Sequence, residues 1–115
     1  MDNHLQHLKQ IIKQCDKISR YLKETNATKE NFVQDELAFD STVPCLIQIG
    51  ECVNKLSLDF QENYPHIKWH HIRGLRNRIV HDYEGVSVMA VWYTLTKNIP
   101  ELKRDIEAIV AEIKN

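Results

Sequence analysis

The sequence contains few residues that end or interrupt helices, with three glycines and three prolines among 115 residues. Gly50, Gly74 and Gly85 lie too far apart to form a glycine-rich phosphate-binding loop. A GxSxG nucleophile elbow is also absent. These absences exclude P-loop nucleotide-binding proteins and α/β-hydrolases.

Cysteine occurs in an odd number, at Cys15, Cys45 and Cys52, without a CxxC pair. This pattern fits neither a disulfide framework nor a zinc ribbon. Each cysteine has apolar neighbours, and a free thiol in such surroundings behaves as a small hydrophobic side chain. We therefore expect three buried, unreactive thiols.

Long apolar runs are missing as well, since no stretch approaches the ~18 to 20 residues that a membrane-spanning helix needs. Residues 1–4 lack the charged and apolar segments of a secretory signal. We therefore expect a cytoplasmic protein without a membrane partner. Because the formal net charge is -1, any nucleic acid must be bound by a local basic patch rather than by the overall field.

Apolar residues recur at steps of three and four along the chain, and nothing alternates with period two over a useful length. The predicted helical segments are residues 3–23, a short helix running into a longer one that ends near Leu56, one turn within 58–64, a short helix over 69–81 and a last helix from Val88 to Ile113. The pattern predicts an all-α fold, an up-and-down bundle of four to five helices in a single domain over residues 1–115. Pro44 and Pro100 should kink or loosen their helices.

Large apolar side chains on these helical stripes are expected in the core. Leu37 belongs to the apolar series of the second long helix, and Trp69, Trp92 and Tyr93 also lie on apolar stripes. Stacking on nucleic-acid bases is the alternative for the aromatic residues, but their stripe positions favour core packing. The stripe from Leu102 to Ile113 fits either ordinary core or a dimer surface.

One basic stretch stands out, because residues 65–81 contain no Asp or Glu. Its basic side chains are Lys68, Arg73, Arg76 and Arg78, with His66, His70, His71 and His81. Phosphate is the natural counterpart, since arginine offers a planar fork of donors to a phosphodiester. The alternative is that some of the 16 acidic residues neutralise the stretch within the fold.

Residues that suit RNA cleavage lie on the helix predicted over 69–81. On an ideal helix, Arg73, Asn77 and His81 share one face, and Arg76 lies about 140° from His81. Arg76 and His81 can therefore meet on one phosphate only if the helix unwinds near His81 or a second subunit contributes. Histidine can exchange a proton with the 2'-hydroxyl or the leaving 5'-oxygen, and arginine can stabilise the charge on the phosphoryl group. A solvated, structural histidine is the alternative.

Metal binding has weaker support. His66 and His70 are four residues apart and His4 and His7 three apart, spacings that place two ligands on one helix face. Neither pair has an obvious third ligand, and no HExxH motif is present. We predict no metal site and no cofactor, and expect these histidines to be solvated.

The run LRNRIVHDY at residues 75–83 resembles the R-x4-H-x-Y signature of the HepT toxin family within the HEPN superfamily. The segments IQIGEC at 47–52 and YPHIKW at 64–69, Gly74, and Gly85-Val86 followed by Val91-Trp92 also resemble that family's pattern in the right order. The resemblance is dense over residues 46–93. Cys52, in place of a usual small residue, and Pro44, inside the second long helix, are departures from the pattern.

The resemblance implies a HEPN-like homodimer that acts as a metal-independent endoribonuclease on tRNA or mRNA. Arg76, Asn77 and His81 of two subunits would line a shared cleft, with Arg76 stabilising the transition state, Asn77 positioning phosphate or histidine, and His81 acting as general acid or base. Lys68, Arg73 and Arg78 would bind the RNA backbone. Glu51 would either orient Arg76 or His81, or simply pair with a basic residue.

The family also implies a partner, a minimal nucleotidyltransferase antitoxin of the MntA type that silences the toxin by transferring AMP to the motif tyrosine, here Tyr83. A phosphate-bearing group beside the cleft would occupy the place of an RNA phosphate. Alternatively, Tyr83 is a half-buried loop residue with a local hydrogen bond. The competing hypothesis for the whole chain is a non-catalytic helical partner or substrate-binding subunit of such a nucleotidyltransferase.

Overall fold

The computed structural model describes residues 4–114, which form helices and turns without a strand. Numbered in chain order, the helices are α1 (His4–Glu24), α2 (Lys29–Phe32), α3 (Glu36–Lys55), α4 (Leu58–Glu62), α5 (Trp69–His81), α6 (Val88–Tyr93) and α7 (Ile99–Lys114). A 3-10 turn (Tyr83–Gly85) precedes α6, and a π-helical turn (Thr94–Asn98) joins α6 to α7. The all-α prediction is confirmed. Within residues 4–114 no helix combines the length and the apolar character that crossing a membrane requires.

Side-chain caps fix where several helices begin. The side-chain oxygens of Thr28, Asp35, Ser57 and Ser87 each accept a hydrogen bond from a backbone N–H in the first turn of the helix that follows. Such caps satisfy donors that the helix itself leaves unpaired. The polar residues between the apolar runs therefore set the helix boundaries.

The helices form an up-and-down bundle in which α1 packs against α3 and α7, and α5 also packs against α3. The backbone N–H of Ser57, just after α3, lies 3.5 Å from Nε2 of His4 at the start of α1. At the other end of α3, the ring of Phe39 contacts that of Tyr83, just after α5. Both contacts require antiparallel neighbours. The core includes Leu8, Ile11, Ile18, Phe32, Ile49, Val53, Val91, Leu95 and Ile106.

The predicted burial of Leu37 and Tyr93 is wrong, since these side chains are 70% and 59% exposed. Both side chains lie off the buried face of their own helix. At 100° per residue, Leu37 lies opposite the buried Leu46, and Tyr93 lies about 200° from the buried Val91. Trp69 is buried, and Trp92 packs on Phe32, as predicted.

The prolines do not end their helices. Pro44 lies inside α3, which continues without a break from Glu36 to Lys55. Its exposed position allows water to bind the carbonyl that loses its N–H partner. Pro100 is the second residue of α7 and follows the π-helical turn after one residue, so the backbone departs from a regular α-helix just before it.

Glycine is required where α3 and α5 approach each other. A β-carbon at Gly50 would overlap Cβ and Cγ of Arg76. These two carbons are close to the backbone and cannot move aside without moving α5. In contrast, a β-carbon at Gly74 would have no other atom within 4 Å. The two helical glycines therefore have different environments.

The three cysteines are buried and free, as predicted. Burial, followed by the charge of Asp16, raises the pKa of the Cys15 thiol to about 12. Burial also raises the pKa of Cys45 and of Cys52. The thiolate is the reactive form, so all three side chains are held in their unreactive form near neutral pH.

We expect Gly50→Ala to destabilise the fold by roughly 1–3 kcal/mol, because the new methyl group overpacks the contact with Arg76. Urea unfolding followed by circular dichroism measures this. Gly74→Ala is the matched control, a helical glycine with open space around it. It should gain about 0.5–1 kcal/mol from helix propensity. Equal shifts in the two variants would contradict the packing argument.

We expect a thiol-specific reagent at pH 8 to label all three cysteines in denaturant and to react slowly with each of them in the native protein. The physical reason is the raised pKa of each buried thiol together with restricted access. Mass spectrometry after a short pulse of reagent counts the labels. Rapid native labelling of Cys15 would show that the interface of α1 with α7 opens readily.

Candidate active site

The basic stretch forms α5 and the residues just before it, and much of it faces solvent. Lys68, His70 and Arg78 are exposed, as is His81 at the end of the helix. Neutralisation by acids within the fold was the alternative. Within residues 4–114, the ion pair that reaches this stretch is the one between Arg76 and Glu51. The remaining positive charge is therefore available to a ligand.

Arg76 is held at both ends of its side chain. Its Cβ and Cγ lie against Gly50 of α3, so the stem is fixed in the contact between the two helices. Its Nη2 lies 3.5 Å from a carboxylate oxygen of Glu51, which is one residue further along α3. Its Nη1 donates a 2.9 Å hydrogen bond to Oδ1 of Asn77. Only 23% of the side chain is exposed.

The guanidinium of Arg76 still has N–H groups that are not used by Glu51 or Asn77. Arginine carries five N–H groups, and Asn77 and Glu51 use one on each terminal nitrogen. A second N–H therefore remains on Nη1 and on Nη2, while Nε is buried without a partner. Because Oδ1 of Asn77 accepts from Arg76, the amide N–H groups of this exposed side chain are also free to donate. The pair can present several donors to one anion.

His81 is the last residue of α5 and is exposed. The α-helix persists from Trp69 to His81 without unwinding. Arg76 and His81 therefore keep their separation of about 140° around the helix axis. The sequence allowed the two side chains to meet on one phosphate either if the helix unwound near His81 or if a second subunit contributed. Because α5 stays helical to His81, the first arrangement is not present.

The other residues predicted to bind RNA differ in how tightly their side chains are held within the fold. Nη1 of Arg73 donates a short hydrogen bond to Oε1 of the buried Gln61, whose amide nitrogen donates to the carbonyls of Val53 and Leu56. Arg73 therefore ties α5 to α4 and, through Gln61, to the end of α3. Lys68 and Arg78 are exposed and lie nearly three helical turns apart.

Tyr83 follows the helix in the 3-10 turn and is 47% exposed. Its hydroxyl donates a 3.2 Å hydrogen bond to Oδ1 of Asp40 on α3, and its ring meets Phe39 edge-on. Partial burial, then the hydrogen bond and the negative charge of Asp40, raise the pKa of the Tyr83 phenol. The local hydrogen bond that the sequence offered as an alternative is present, although the hydroxyl still lies at the surface.

Sequence reasoning missed Asp40 and Gln61. Each lies far along the chain from its partner, since 43 residues separate Asp40 from Tyr83 and 12 separate Gln61 from Arg73. No local spacing indicates such pairs. The antiparallel packing of α3 and α5 is the only signal that could have found Asp40.

The histidine pairs do not build a metal site in the part of the chain that is described. No three His, Cys, Asp or Glu side chains of residues 4–114 are grouped so that they could hold a metal ion. His4 instead packs its ring on Phe60.

Comparison with known proteins identifies the family. A family model described as "Ribonuclease HepT-like" matches residues 5–109. A protein of Methanocaldococcus jannaschii named "Putative RNase" is 36% identical over 104 residues, which cover 90% of this chain and 84% of that protein. Another so named, from Caldanaerobacter subterraneus, is 32% identical over 94% of this chain and 95% of its own length.

The "Probable ribonuclease HepT" of Thermococcus cleftensis is 28% identical over 93% of this chain and 96% of its own length. No solved structure matches the chain. The matches extend over nearly the whole of the bundle, including α5 and its flanks. The resemblance seen in residues 46–93 is thus confirmed, and the chain belongs to the HepT-like ribonuclease family.

Proposed function

We propose that this protein is a metal-independent endoribonuclease toxin of the HepT type, which cuts tRNA or mRNA at a cleft between two copies of the chain. The observation that carries the proposal is the way in which the fold holds and orients the side chain of Arg76. Its stem is fixed against Gly50, its terminal nitrogens are oriented by Glu51 and Asn77, and an N–H remains free on each of them. An arginine oriented in this way is prepared for the charge that develops on a phosphoryl group.

His81 supplies the proton chemistry. The 2'-hydroxyl oxygen of RNA attacks the phosphorus, the bond to the 5'-oxygen breaks, and the fragments carry a 2',3'-cyclic phosphate and a 5'-hydroxyl. His81 takes the proton from the 2'-hydroxyl or gives one to the leaving oxygen. Its exposed position at the end of α5 leaves the imidazole accessible to a strand of RNA.

A second copy of the chain completes the site. Because α5 stays helical through His81, Arg76 and His81 of one chain point in directions about 140° apart. A homodimer brings His81 of one chain towards the phosphate that Arg76 of the other stabilises. Asn77 positions the phosphate or the imidazole, and Lys68, Arg73 and Arg78 hold the RNA backbone. Arg73 does so with the N–H groups that Gln61 leaves free.

Tyr83 is the regulatory residue of the proposal. A nucleotidyltransferase of the MntA type transfers AMP to its oxygen, with pyrophosphate leaving from ATP. The hydroxyl is reachable, since Tyr83 is 47% exposed two residues after His81. The attached phosphodiester places a negative charge and a bulky group near the cleft and so blocks RNA.

We expect His81→Ala to lower the rate of RNA cleavage by about 10²–10⁴-fold, because a general acid or base is lost. The assay incubates unmodified protein with total tRNA in excess chelator and follows fragment size and end chemistry. His66→Ala, another exposed histidine of the same stretch, is the control and should cut at the parental rate. If mass-verified, unmodified parent dimer cuts no RNA, the chain is instead a docking subunit of a nucleotidyltransferase.

Tyr83→Phe should escape AMP transfer by the cognate nucleotidyltransferase and remain active as a nuclease in its presence. Intact mass spectrometry after incubation with enzyme and ATP detects the added AMP. Tyr93→Phe removes the hydroxyl of a tyrosine that is 59% exposed and should still be modified once at Tyr83. Modification of Tyr83→Phe to the same extent as the parent would show that another residue is the target.

A further inference from the structure

Gly74 lies in the middle of α5, and no contact within residues 4–114 accounts for a glycine there. Glycine destabilises a helix interior relative to alanine, so a glycine there usually reflects a close contact. Gly50 has such a contact, but a β-carbon at Gly74 would have no other atom within 4 Å. Nothing in residues 4–114 requires glycine at this position. The backbone of α5 at Gly74 is therefore accessible to a ligand that approaches from outside.

Gly74 lines a groove between α5 and the segment that contains α6. The groove consists of two adjoining depressions, with volumes of about 460 Å³ and about 360 Å³. They share His71, Leu75 and Ala90. We call them together the α5–α6 groove. Gly74 and Arg78 line the larger depression, and Lys68 lines the smaller one.

The charge of the α5–α6 groove has one sign. Lys68 and Arg78 line opposite ends, His70 and His71 lie between them, and no Asp or Glu lines either depression. Within the described range, 4–114, these four side chains have no hydrogen-bond or ion-pair partner. Lys68 and Arg78 are ten residues apart, about 15 Å along the helix. At roughly 3.4 Å for each nucleotide of a stacked strand, this length matches about four nucleotides.

The smaller depression also has features suited to a base. Tyr93 lines it and is 59% exposed, so its ring is available for stacking. Asn98 lines the same depression, although its Oδ1 is buried and cannot be reached from the groove. The floor between them is apolar at Leu75 and Ala90.

We propose that the α5–α6 groove binds single-stranded RNA beside the cleavage site, with a base stacked on Tyr93 and backbone phosphates bound at Lys68 and Arg78. Gly74 allows the strand to lie close to the backbone of α5. This inference rests on the proposed ribonuclease function and assigns to it the surface that holds the strand on one side of the cut.

The test measures binding of a fluorescent 2'-O-methyl octanucleotide, which cannot be cut through the 2'-oxygen, to the intact protein. Gly74→Leu places a side chain in the groove, and its β-carbon meets no other atom within 4 Å. Tyr93→Ala removes the stacking ring, and Lys68→Ala removes one phosphate contact. We expect Gly74→Leu and Tyr93→Ala to weaken binding on the order of ten- to hundredfold. Lys68→Ala should lower the slope of log K against log salt by about 0.7.

Matched controls separate the groove from general effects. Leu58→Ala removes a side chain that is 69% exposed on α4, and Lys13→Ala removes an exposed charge on α1. Both should bind RNA like the parent. Gly74→Leu should also unfold at a urea concentration no lower than the parent, because leucine favours the helix and its β-carbon has open space around it.

Three results distinguish the outcomes. If the parent binds RNA and the groove variants bind equally well, the groove assignment is wrong while the proposed nuclease stands. If the parent itself binds no RNA, the proposed function fails and the groove assignment fails with it. If Gly74→Leu dissociates a dimer, as seen by light scattering, while Tyr93→Ala and Lys68→Ala bind RNA normally, a second copy of the chain covers Gly74 and the proposal is overturned.

Discussion

The close approach of α3 and α5 determines the geometry of the site. Glycine at position 50 leaves room for the stem of Arg76, and the stem then directs the guanidinium towards Glu51 in the next position of α3. The same antiparallel contact continues to Phe39 and Asp40, which hold Tyr83 beyond the end of α5. The packing of α3 against α5 thus positions both the arginine and the tyrosine of the motif.

The different sides of helix α5 have different surroundings. Ile79 and its apolar neighbours bury one side in the bundle, and Arg76 lies at the margin where the core meets solvent. Asn77 and His81 extend from the exposed side, and Gly74 and Arg78 line the groove towards α6. A single helix of 13 residues therefore contributes to the core, carries the proposed catalytic residues and lines the proposed binding groove.

Much of this could be predicted from the sequence. The bounds of α5, the cap at Ser87 and the buried cysteines follow from local spacing and cap chemistry, which act within a few residues. Tyr93 and Leu37 were assigned to apolar stripes, although helical geometry places each of them off the buried face of its own helix. Asp40 and Gln61 were missed because their partners become neighbours only when the bundle forms.

The double role of Arg76 affects how a substitution there is interpreted. Its methylene groups pack in the contact between α3 and α5, while in the proposed function its nitrogens stabilise the charge on the phosphoryl group. Truncation to alanine removes both, so a loss of activity would mix a cavity at Gly50 with a missing charge. Glutamine or methionine keeps most of the stem and discards only the cation. Comparing such replacements with alanine separates the loss of packing from the loss of positive charge at position 76.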